Sequence, residues 1–193
     1  MAIITLNNRS INRSDTASAG QVWTATSATA ADFQAAGGGK VLQVVNSTNS
    51  YQKSSASTSL QDIESSSGTT WETSITPSAT SSKIYAIAHI MYYMEMSGTA
   101  QDVRAYFRMH QKIGSGSYAG QINTPYSGMY YYSAQRNDFS NICQPFQVLT
   151  SPSTTSAVKF KFDYKSLSTS NWNLVINYGS TSTLTLMEID GSW

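Results

Sequence analysis

Cysteine is all but missing from this chain of 193 residues: Cys143 stands alone, so no disulfide closes within it. Histidine is nearly as scarce, and His89 and His110 with one cysteine do not make up the ligands of a structural zinc site. Charge is also low, with 12% Asp, Glu, Lys and Arg and a net charge of +1. That balance excludes the basic footprint of a nucleic-acid binder and the high net charge of a disordered chain. No apolar run is long enough to cross a bilayer as a helix. Residues 1–6 lack a basic stretch followed by an apolar core, so neither a membrane partner nor an export signal is expected. Nucleophile triads, metal-binding helices and phosphate loops are absent as motifs. Glu188 and Asp190, like Asp62 and Glu64, lie two apart on strand-like segments, but neither pair has the partner or cleft that acid/base chemistry needs. They read as solvated edges. No enzymatic activity, cofactor or metal is expected.

Serine and threonine are abundant instead, at roughly a quarter of the residues, and 40% of the chain is hydrophobic. This is the composition of an all-β protein with many turns. Strand signals separated by turn-rich spacers run through residues 41–193. Val41 opens the series, and Trp71, Thr73 and Ile75 lead into Pro77. Residues 102–110 alternate, with Val103, Ala105, Phe107 and Met109 inward and Arg104, Tyr106 and Arg108 outward. Val158, Phe160, Phe162 and Tyr164 alternate likewise against Lys159, Lys161, Asp163 and Lys165, a basic row that reads as a wet strand face. Residues 174–178 and 183–189 read as a closing pair joined across Gly179. The apolar phase of the second member slips between Leu186 and Met187, as a β-bulge would make it do.

The most informative segment is residues 83–95, apolar on both alternating faces. Ile84, Ala86, Ala88, Ile90, Tyr92 and Met94 line one side, and Tyr85, Ile87, Met91 and Tyr93 the other. In a small antiparallel domain one side meets the core and the other is normally wet. A second copy of the chain is the simplest cover, so the protein is expected to be an obligate oligomer. Ile84, Tyr85, Ile87, His89, Ile90, Met91 and Tyr93 are the candidate subunit interface. His89 is either a hydrogen-bonded interior residue or, on a symmetry axis, an ion ligand or pH switch. His110 falls on the exposed phase.

Residues 1–40 differ from the rest. Their few anchors include Ile11, Val22, Trp23 and Phe33, too little for a separate core, and Gly37-Gly38-Gly39 makes a permissive joint. The expected division is therefore an attachment arm, residues 1–40, and a β-sandwich, residues 41–193. The arm is either disordered alone or a set of pegs, Trp23 and Phe33 foremost, that order on docking. Only residues 28–36 offer a turn of helix.

Ile75-Thr76-Pro77-Ser78-Ala79-Thr80-Ser81-Ser82-Lys83, Leu149-Thr150-Ser151-Pro152-Ser153-Thr154-Thr155-Ser156-Ala157 and Thr183-Leu184-Thr185-Leu186-Met187-Glu188-Ile189, taken in order, resemble landmarks of small virion proteins and tail-fibre heads of tailed bacteriophages, particularly of marine and cyanobacterial hosts. Gly20-Gln21-Val22-Trp23-Thr24-Ala25 and the stretch from Phe33 to Val45 resemble the joints preceding such heads. The resemblance implies a homotrimeric antiparallel jelly-roll β-sandwich, similar to tumour-necrosis-factor and complement heads, on the surface of a virion and made in the host cytoplasm. Fibre proteins carry a long shaft, whereas forty residues reach at most roughly 130 to 140 Å. A peg fits better, which favours a capsid decoration or cement protein whose partners are itself and the major capsid protein or another virion structural protein. The alternative is the receptor-binding head of a short tail fibre that recognises a host surface glycan or protein. For that reading the candidates are Tyr126, Tyr130, Tyr131, Tyr132 and Arg136, because Tyr among Ser, Gly and Asn is the vocabulary of recognition loops. Packing in the core or a subunit seam is the plainer role for the same tyrosines.

Overall fold

The computed structural model describes the backbone of residues 3–6, 9–12, 21–25, 31–35, 41–96, 102–119, 122, 126–132, 139–167 and 172–191. The chain divides into two compact units, residues 1–39 and 40–191.

The first unit holds two hairpins. β1 (Ile3–Leu6) pairs with β2 (Arg9–Asn12), and β3 (Gln21–Ala25) with β4 (Ala31–Ala35), which sets Trp23 opposite Phe33. The helical turn expected over residues 28–36 is therefore not formed at 31–35. There Ala31 and Ala35 flank Asp32, Phe33 and Gln34 in an extended strand whose backbone groups bond to β3.

The second unit is an antiparallel sandwich. Its strands are β5 (Val41–Asn49), β6 (Lys53–Ser55), β7 (Gln61–Asp62), β8 (Glu64–Ser66), β9 (Thr69–Thr70), β10 (Glu72–Ile75), β11 (Lys83–Met96), β12 (Asp102–Ile113), β13 (Tyr126–Tyr132), β14 (Phe139–Thr150), β15 (Val158–Ser166), β16 (Trp172–Ile176) and β17 (Ser182–Ile189). One sheet runs β10-β15-β12-β13, and the other runs β5-β17-β11 with β14 on the far edge of β11. β7 also pairs with β15, and β16 and β6 also belong to the second sheet, so the sheets hold five and six strands, and the interleaved order of their main strands is that of a jelly roll.

The two sheets meet through the inward phases read from the sequence. Ile84, Ala86, Ala88, Ile90, Tyr92 and Met94 of β11 are all buried, as are Ala105, Phe107 and Met109 of β12 and Val158, Phe160, Phe162 and Tyr164 of β15. Tyr92 packs on Phe107 with ring centres 4.9 Å apart, and Phe146 on Phe162 at 5.3 Å, which ties sheet to sheet. Each such side chain contributes about 1.5 to 3 kcal/mol when fully buried.

The closing segments are not a hairpin. β16 and β17 both pair with the same edge of β11, at residues 92–96 and 83–89, and so form one column interrupted by residues 177–181. β5 and β6 continue the neighbouring column past the same point. The interruption leaves Met91 facing an excursion, and its two backbone groups find partners there. Its N–H donates to Ser182 Oγ at 2.8 Å, and its carbonyl accepts from the Asn177 N–H at 2.9 Å. Asn177, buried and at φ 58°, accepts from the Ser182 N–H and hydroxyl and donates to the Tyr51 carbonyl. Asparagine tolerates that left-handed geometry better than most residues.

The phase slip expected between Leu186 and Met187 does not occur. Ser182, Leu184, Leu186 and Glu188 all point inward, and the register shift lies between Glu188 and Ile189. A carboxylate in an inward position made an unbroken alternation look broken.

Candidate functional site

The outer face of the β5-β17-β11-β14 sheet is built by the second phase of each strand. Pairing sets Val44, Met187, Tyr85 and Leu149 in one row across four strands. Val44 and Leu149 are 57% and 52% exposed, and Val41, Leu42 and Ile189 extend this apolar band at the same end. The middle rows are polar: Asn46, Thr185 and Gln147 flank Ile87, and Thr48, Thr183 and Pro145 flank His89. Tyr85 donates to the Gln147 side-chain carbonyl at 2.8 Å, and Asn46 to the Thr185 hydroxyl at 2.8 Å. Ile87, His89, Pro145, Phe146 and Gln147 outline a shallow hollow of about 290 Å³. Beyond it come Met91 beside Cys143, and Tyr93 stacked on the exposed Tyr178 with ring centres 4.6 Å apart.

Five of the expected interface residues, Tyr85, Ile87, His89, Met91 and Tyr93, stand on this face, half-buried or exposed. Ile84 and Ile90 do not. Strand alternation turns them into the sandwich, where they are completely buried within the single chain and cannot touch another copy.

Charge is divided sharply between the two outer faces. From Lys83 to Tyr93, and across the outward positions of β5, β14 and β17, the titratable groups other than tyrosine are Lys83, His89 and Cys143. The opposite face, on β10, β15 and β12, carries two ionic clusters. Asp163, buried beneath it, accepts from Arg108 Nε at 2.9 Å, from Arg108 Nη2 at 2.5 Å and from His110 Nε2 at 2.9 Å. Burial would raise the Asp163 carboxyl, but its bonds to Arg108 and His110 outweigh that and hold it below the usual range. Lys112 and Lys159 each lie 3.2 Å from Glu72, and Lys161 lies 2.6 Å from Asp62. The Tyr118 hydroxyl donates to Glu72 at 2.6 Å, with the Lys112 and Lys161 ammoniums 4.4 and 4.7 Å from its ring centre. Desolvation would raise Glu72, yet these donors bring it down to about 2.

Three sequence readings are corrected here. His110 is not on an open phase: it is buried, 7% exposed, with Nδ1 3.2 Å from the Ala119 carbonyl. The lysine row is not simply wet, since Lys159 and Lys161 belong to one of these clusters and Lys165 sits over the Tyr106 ring at 5.5 Å. Glu188 is not a solvated edge. It is 1% exposed, and its carboxylate accepts the Ser78 N–H, the Ser78 hydroxyl, the Ser82 hydroxyl and the Gln43 amide, each at 2.6 Å. Burial pushes this carboxyl up, and the four donors reverse that and bring it down to about 2. Its role is to clamp the loop at residues 76–82 to β5 and β17. Asp62 and Glu64 are taken up by Lys161 and Lys53.

The remaining candidates fall partly outside the described residues. Ile11 lies on β2, Val22 and Trp23 on β3, and Phe33 on β4, while Tyr126, Tyr130, Tyr131 and Tyr132 lie on β13. Their side chains, and Arg136 altogether, are outside the described set. Among the described residues no cluster of His, Cys, Asp and Glu is placed to hold a metal ion.

No protein-family model matches the chain, and no curated protein is similar to it. Among solved structures it is similar to a chain of the infectious bursal disease virus Gx strain, at 12% identity and a TM-score of 0.34, over 88% of this chain and 42% of that one. It is likewise similar to the VP2 subviral particle of infectious bursal disease virus, at 12% identity and a TM-score of 0.33, over 86% of this chain and 42% of that one. The chain spans about two fifths of the length of these structures. A likeness this distant carries no argument about function.

Proposed function

We propose that the protein is a virion structural protein, a homotrimeric decoration or cement protein that docks on a capsid through residues 1–40. The observation that carries the assembly is the contrast between the two outer faces of the sandwich. Ionic side chains dress one face and leave the other to Val44, Met187, Tyr85, Leu149, Ile87, Met91 and Tyr93. Charged residues are depleted at the centres of subunit interfaces, and aromatic residues and Met are enriched there. With about 3.3 Å per residue along a strand and 4.8 Å between strands, the face from Lys83 to Tyr93 measures roughly 600 Å². That approaches the 800 Å² or so per partner of a standard interface. The trimer and its place on a virion follow from the ordered resemblance of the 75–83, 149–157 and 183–189 segments to phage virion proteins. Three arms on one rigid trimer raise the effective concentration at neighbouring capsid sites, so avidity exceeds single-arm affinity by about 100- to 10,000-fold.

The test separates the two units. A chain beginning at residue 41 keeps the whole jelly-roll core, so it is expected to assemble as the full chain does and to lose binding to undecorated capsids. Equal capsid labelling by both forms removes the anchoring role from the arm.

A further inference from the structure

β12 sends Ala105, Phe107 and Met109 inward, and the next inward position is a polar one, Gln111. Gln111 is 8% exposed as a residue, and its side-chain amide, which has no hydrogen-bond partner among the described residues, is open to solvent rather than sealed in the core. It lines a cavity of about 430 Å³ at one end of the sandwich, between the turn after β12 and the loop after β14. Ser117 and Ser151 bring hydroxyls to the same cavity, neither bonded within the described residues. Ile113, Ala119 and Pro152 supply apolar walls.

The walls are fixed in advance. Gly114 N–H donates to the Ala157 carbonyl at 2.8 Å, joining the two loops, and Ala119 N–H donates to the Gln111 carbonyl at 2.9 Å. His110 holds the Ala119 carbonyl from the other side at 3.2 Å. Gly114, at φ 54°, makes a turn that a side chain would strain. A ligand here binds without a cost for ordering the loops.

Among the described residues the lining presents no free charge. Lys112 contributes to it, but its ammonium lies 3.2 Å from Glu72 and 4.4 Å from the Tyr118 ring centre. The ligand therefore has to be neutral, rich in paired donors and acceptors, and apolar on one side. A volume of this size falls within the range of small-molecule sites. We propose that the cavity binds a neutral saccharide. One pyranose ring lays its C–H face on Ile113 and Pro152, adjacent hydroxyls engage both ends of the Gln111 amide, and Ser117 and Ser151 take the remaining hydroxyls. The site is independent of the assembly proposed above, because none of its residues lies on the uncharged outer face.

Saturation-transfer NMR on the full chain tests this, with methyl glycosides of glucose, galactose, mannose and N-acetylglucosamine, and with glucuronate and glycylglycine amide as contrasts. At least one neutral glycoside is expected to bind with millimolar affinity. Gln111→Leu is expected to weaken it about tenfold or more, the effect of losing the paired hydrogen bonds to the amide. Ser151→Trp, at an exposed position, is expected to block the cavity without moving the unfolding midpoint, and it decides the matter if Gln111→Leu fails to fold. The proposal is overturned if no neutral glycoside binds at about 50 mM, if Ser151→Trp binds as the unaltered chain does, or if glucuronate or the peptide amide binds more tightly.

Discussion

Replacing Glu188 with Gln removes one charge and one acceptor from a side chain that is 1% exposed, and leaves its shape nearly unchanged. The glutamine oxygen can keep the Ser78 and Ser82 donors, but its amide nitrogen then faces Gln43 Nε2, another donor. Turning the Gln43 amide to relieve the conflict breaks its 2.6 Å bond to the Thr76 carbonyl. A carboxyl at about 2 in the folded chain against an ordinary value of 4.5 stabilises the folded state by about 3 kcal/mol at neutral pH. For a domain of this size that is a fall in Tm of about 6 to 12 °C. Because the folded value is the lower one, this stabilisation is full above pH 4.5 and drains away as the pH falls toward 2. Urea unfolding of Glu188→Gln and the unaltered chain, at matched concentration, should therefore show a gap that is widest at pH 7 and narrows below about pH 4.5. Equal midpoints at pH 7, or a gap that stays constant down to pH 2.5, would refute the clamp assigned to this residue.

Adjacent residues on β11 should fail in different ways. Ile90→Lys buries an unpaired charge in the core and is expected to abolish folding, whereas Met91→Lys, on the outer face, is expected to give a folded chain that no longer assembles, read by circular dichroism and sedimentation. Asn177→Ala removes three side-chain hydrogen bonds at the interruption between β16 and β17 and places alanine at positive φ. It should cost about 2 to 4 kcal/mol in denaturant unfolding, with hydrogen exchange at Met91 accelerated first.

The alternation of apolar residues was enough to find the sandwich strands and the inward sides of β11, β12 and β15. Periodicity is a property of a single strand, and burial follows it directly. What it could not give was the pairing between distant strands. Asp163 reads as one acid among lysines until β15 is set beside β12, which places it against Arg108 and His110. Glu188 reads as a solvated edge until its donors arrive from Gln43, Ser78 and Ser82, more than a hundred residues away in sequence. The split of β16 from β17 is invisible for the same reason, since it depends on Asn177 bonding to Tyr51 and Met91. The interface expected from the sequence mixes the two phases of β11. The pleat sends Ile84 and Ile90 to the core and leaves Tyr85 and Met91 on the outer face.

The mass of the assembly in solution tests the central claim most directly. Sedimentation equilibrium of the full chain at micromolar concentration should give three times the 21.0 kDa chain mass, with Met91→Lys falling to a single chain. A unit mass of 21.0 kDa for the unaltered protein would mean that the uncharged face of the β5-β17-β11-β14 sheet stands open to water, and would contradict the account.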